Sequence, residues 1–70
     1  MSISHRRRYL SNKIAGIQNR VADAYEQVDD GEFKEAVNTI NSAIKELYDL
    51  RKNTIQILFL LSKFDYFLLI

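Results

Sequence analysis

The stretch LSNKIAGIQNRVADAYEQV, Leu10 to Val28, carries its apolar residues at Leu10, Ile14, Ile17, Val21, Ala24 and Val28, in steps of four, three, four, three and four. Such a seam has the average spacing of 3.5 residues that marks a helix packed lengthwise on another helix. A strand is excluded, because Asn12-Lys13 and Gln18-Asn19-Arg20 break any alternation of period two. Tyr9 and Tyr25 are expected to widen one flank of the stripe, as in a helix belonging to a bundle. Gly16 lies off the seam. It costs about 1 kcal/mol relative to alanine, unless something approaches the backbone closely there.

Val28-Asp29-Asp30-Gly31 interrupts the pattern, and a second stripe follows at Phe33, Ala36, Val37, Ile40, Ala43, Ile44, Leu47 and Leu50. Asp29 as N-cap with Glu32 three residues later fits a capping box, with Val28 and Phe33 as its hydrophobic staple. Asp30 as the cap, or Gly31 as the end of the first helix, moves the boundary by a residue or two. Acids at the start of the second helix (Asp30, Glu32, Glu35) and bases at its end (Arg51, Lys52) suit the helix dipole. So short a connection makes the helices antiparallel neighbours, an αα-hairpin over residues 10–53. Gly31-Glu32-Phe33-Lys34-Glu35-Ala36, with Ala43 seven residues on, resembles the turn and second helix of a tetratricopeptide repeat. The resemblance covers residues 31 to about 47, and the chain has room for about one and a half repeats where a stack needs about three. It is read as shared hairpin chemistry and not as family membership.

Residues 54–70 are far more apolar than the rest, and their four strongest polar groups, Gln56, Ser62, Lys63 and Asp65, fall on different sides of any helix. The seam nevertheless continues through Leu47, Leu50, Thr54, Ile57, Leu61, Phe64 and Leu68. Three readings stand open. The first in rank ends the second helix at Asn53, after Arg51 and Lys52, and returns a third helix along the hairpin. The second is one continuous helix of roughly 58 Å from Glu32 to the end. The last is a β-hairpin turning at Ser62-Lys63. The expected fold is therefore all-α: an antiparallel helical hairpin with an additional apolar C-terminal helix, in a three-helix or dimeric helical bundle. Membrane attachment through 54–70 is the lesser reading. Spanning takes about 20 apolar residues, and Lys63 and Asp65 would each cost roughly 2.5–3.5 kcal/mol near the bilayer centre.

With 70 residues, 47% hydrophobic, and a net charge of +1, the chain is one small domain and not a disordered segment. Domains of this size bury too little apolar surface to be secure alone. The absence of cysteine removes disulfides, thiolate metal sites, iron–sulfur clusters and thiol catalysis together. Stability must then come from a neighbour. The only histidine, His5, has no spaced carboxylate beside it; Gly16 and Gly31 cannot build a phosphate loop; and Asp29-Asp30 lack the other ligands of a calcium loop. No enzyme activity, cofactor or metal is expected. No apolar run follows the basic start, so a cytoplasmic location is expected rather than secretion.

Charge is segregated along the chain: net +5 over residues 1–20, −6 over 21–50 and +2 over 51–70. Function is expected to be that of a small, non-enzymatic helical protein–protein interaction module, such as an adaptor, an assembly subunit, or a phage- or plasmid-type regulator or inhibitor. It would complete its core as a homo-oligomer or on a larger protein partner, through Ile57, Phe59, Leu60, Phe64, Phe67 and Leu68. The alternative is a dimeric hairpin that binds RNA or DNA through the candidate anion site Arg6, Arg7 and Arg8. It would be similar in architecture, though not in sequence, to the small plasmid-encoded RNA-binding bundles. The bland reading makes residues 1–9 a solvated arm or first helical turn, or lets these arginines neutralise Glu46 and Asp49 across the hairpin. The acidic middle weighs against a broad nucleic-acid surface.

Overall fold

A computed structural model describes residues 3–69, with side chains over 4–62. Two helices make up the described chain: α1, Ile3–Asp29, and α2, Phe33–Leu69. They pack antiparallel, and the long dimension of 58 Å is that of a single long helix. At 27 and 37 residues, α2 outruns α1 by ten.

Gly31 makes the turn. Its φ of +77° is the left-handed conformation that glycine adopts without a Cβ penalty. The Gly31 amide donates to the Val28 carbonyl at 3.0 Å and the Glu32 amide to the Gln27 carbonyl at 2.8 Å. This pair of bonds is the Schellman ending of a helix, with Gly31 just past the cap. The Glu32 carbonyl in turn accepts from the Ala36 amide at 3.0 Å, so Glu32, and not Asp29, stands where α2 begins. The capping box expected at Asp29 is therefore displaced by a glycine ending, and Val28 and Phe33 both remain exposed instead of forming a buried staple. Gly31→Ala is expected to destabilise the hairpin by about 1–2 kcal/mol, the usual penalty of a Cβ in this conformation. Gly31→Asn should recover part of it in urea denaturation at fixed protein concentration.

The return turn at Asn53 does not occur. Asn53 is helical, α2 passes through it, and the Thr54 hydroxyl donates to the Leu50 carbonyl at 2.7 Å, tying the segment into the helix. The continuous helix, second in rank from sequence, is the one observed, and no strand occurs among the described residues. Arg51 and Lys52 consequently sit inside α2 rather than at its end. Among the described residues no helix is long and apolar enough to cross a membrane.

Candidate functional site

Two packed helices hide one line of side chains each, and here that line is mostly alanine. Ala24, Ala36 and Ala43 are buried, with Ile17 the one large side chain beside them at 5% exposure. Small residues let the helices lie close, and they leave the next stripe of each helix outside. Val21, Val28, Ile40, Ile44 and Leu47, all seam residues, are between 43% and 56% exposed. No large side chain among those described is fully enclosed. Most of the expected core is therefore surface.

The exposed seam residues form a groove. Val21, Ala24, Tyr25 and Val28 of α1 face Ile40, Ala43, Ile44 and Leu47 of α2 around an open volume of about 420 Å³, with Arg20 its one charged lining residue. Ile14 and Ile17 extend it along α1 through a second hollow that shares Val21 and Leu47.

The other edge of the helix contact is polar, with Arg20 lining both edges, and the reason is again a spacing of seven. Arg6, Lys13, Arg20 and Gln27 run along one edge of α1, and Thr39, Glu46 and Asn53 along the facing edge of α2. Across this edge the Arg20 Nε donates to Glu46 Oε1 at 2.8 Å. That bond, followed by the charge of Glu46, pushes the Arg20 pKa upward against a smaller opposing desolvation. Arg20 is exposed and Glu46 half-buried, so screening keeps the pair's contribution small and its value lies in closing this side of the hairpin. Arg6 lines a cleft with Asn53 and Gln56 on the same side. Glu46 is thus engaged by Arg20 and not by the three N-terminal arginines.

Tyr9 and Tyr25, expected on one flank, fall on opposite sides. Tyr25 lines the apolar groove, while Tyr9 lies by the polar edge with the Lys13 ammonium 5.5 Å from its ring centre. Gly16 also belongs to the polar side, and a Cβ there would meet nothing within 4 Å. No close approach of the described chain explains it. Gly16→Ala is expected to raise stability by about 0.5–1 kcal/mol through helix propensity alone, read as a higher melting temperature with association unchanged.

Of the residues expected to bind a partner, Ile57 is half-buried, Phe59 is 64% and Leu60 50% exposed, and the side chains of Phe64, Phe67 and Leu68 lie outside the described residues. Phe59 and Leu60 stand toward the open end of the hairpin, outside the groove, whose lining residues belong to the seam expected to form the core. Arg6, Arg7 and Arg8 are helical, α1 having begun at Ile3. Successive helical residues lie 100° apart, so the three point to different sides and make no single patch. Arg6 is half-buried, and Arg7 and Arg8 are exposed. Among the described residues no group of three or more His, Cys, Asp or Glu gathers where it could hold a metal ion.

The architecture is that of an antiparallel helical hairpin with an apolar groove along one edge of the helix contact and a polar row along the other. Comparison with protein-family models, with curated proteins and with solved structures finds no match for the chain.

Proposed function

We propose that this chain is a non-enzymatic helical interaction module whose working surface is the apolar groove between α1 and α2. The observation that carries this reading is the imbalance of its apolar side chains. Among the described residues sixteen large ones are more than a third exposed, whereas the buried hydrophobic set is Ile17 and three alanines. Surface patches of this kind mark binding sites, and a groove between two helices suits the apolar stripe of a further helix. The polar edge on the other side, closed by Arg20 and Glu46, gives the module a defined back and front.

Thermal melts over an about hundredfold range of protein concentration test the reading, because a fold completed by association gains stability by mass action. The isolated chain should melt broadly when dilute. A sharp melt, unchanged in midpoint at every dilution and accompanied by a monomer mass, would show that the hairpin is self-sufficient and would overturn the proposal.

A further inference from the structure

Resting on the interaction reading above, we infer that the occupant of the groove is a second copy of this chain, laid antiparallel so that the turn end of each hairpin covers the open end of the other. Charge carries the choice of a second copy, and the exposed surface area is large enough for it.

The chain exposes 6138 Å². A compact monomer of its mass, 8.2 kDa, exposes roughly 4500 Å². The excess, roughly 1600 Å² per chain, is of the size that one copy buries in an obligate homodimer.

Charge fixes the direction. The hairpin is a dipolar rod: residues 21–42, its turn half, hold six acids against Lys34 for a net −5, and the remainder holds the +6 that restores the chain's +1. Arg7 stands seven residues before Ile14, and Arg51 seven after Ile44, so both prolong the groove's own rows toward the open end. They lie roughly 10–20 Å along the axis from the groove's middle. Asp29, Asp30 and Glu32, all exposed, lie roughly 12–18 Å from it in the other direction. A two-fold rotation about the middle brings base onto acid at both ends at once. A surface that complements itself in this way is the signature of an isologous pair. A parallel pair would instead stack acid on acid and base on base.

The test uses the absence of cysteine, which lets one introduced thiol carry one spin label per copy. Gln56→Cys places the label on α2 at an exposed position outside the groove. Sedimentation should give a dimer, and electron–electron distance measurement should place the two labels about 40 Å apart, against less than about 20 Å in a parallel pair. Lys34→Cys, near the turn, should give about 30 Å by the same geometry. Raising salt from about 0.01 to about 0.1 M, which shortens the screening length from about 30 to about 10 Å, should weaken the antiparallel dimer severalfold and strengthen a parallel one. A dimer with both label pairs within about 20 Å overturns the arrangement. A monomer without stable helices overturns the second copy while leaving the groove to a foreign helix. A monomer that melts cooperatively overturns this inference and the interaction reading together.

Discussion

Replacing Val21 and Ile44 together by glutamate is expected to abolish association and, with it, any cooperative melt. The two residues face each other across the groove at 56% and 45% exposure, so neither substitution disturbs a buried site within one hairpin. In the closed pair, each glutamate is carried into an apolar interface whose one charged lining residue, Arg20, is already bonded to Glu46. Desolvating an unpaired carboxylate costs several kcal/mol, and two per copy should weaken binding by more than about 3 kcal/mol, over a hundredfold in Kd. The control is Asn19→Glu with Asn41→Glu, which adds the same charge at exposed positions outside the groove. Sedimentation equilibrium should find the control associated and the groove variant monomeric. Equal association of the two would exclude the groove as the association surface.

Ile17→Ala is expected to be the most damaging single truncation. Among the described residues Ile17 is the one large side chain that the hairpin itself buries, at 5% exposure, and its removal leaves a space lined by elements that cannot readily collapse onto it. A loss of about 2–4 kcal/mol follows, most of what a domain of this size has to lose. Ile55→Ala, at 39% exposure, should cost well under half as much. Urea midpoints at matched concentration check the pair. Similar losses at both sites would mean that Ile17 is not the centre of the packing.

The hairpin was legible because the 3.5-residue seam and the break at Asp29-Asp30-Gly31 are local signals. What stayed hidden was which half of each seam faces inward. Ala24, Ala36 and Ala43 occupy the contact line while Val21, Val28, Ile40, Ile44 and Leu47 stand aside, and periodicity weights all eight alike. The sorting of small from large within the seam was the available signal, since only small residues allow two helices to approach closely. Asn53 misled for a related reason. Read as a stop after Arg51 and Lys52, it is instead the third member of the row Thr39, Glu46 and Asn53, half-buried on the polar edge against α1. Neither glycine nor proline stands near it to end a helix, and Thr54 bonds back to Leu50. The apolar tail is legible as exposed surface at Phe59 and Leu60, and the hairpin exposes its middle as well because alanine fills the contact line.

On the proposed reading, one hairpin is incomplete until its groove is covered. Amide hydrogen exchange read by mass spectrometry at high dilution, where the mass is that of a single chain, tests it most directly. Rapid exchange through both Ile14–Val28 and Ile40–Leu47, becoming protected as concentration rises, is the predicted result. Strong protection of both segments in the lone chain would contradict it.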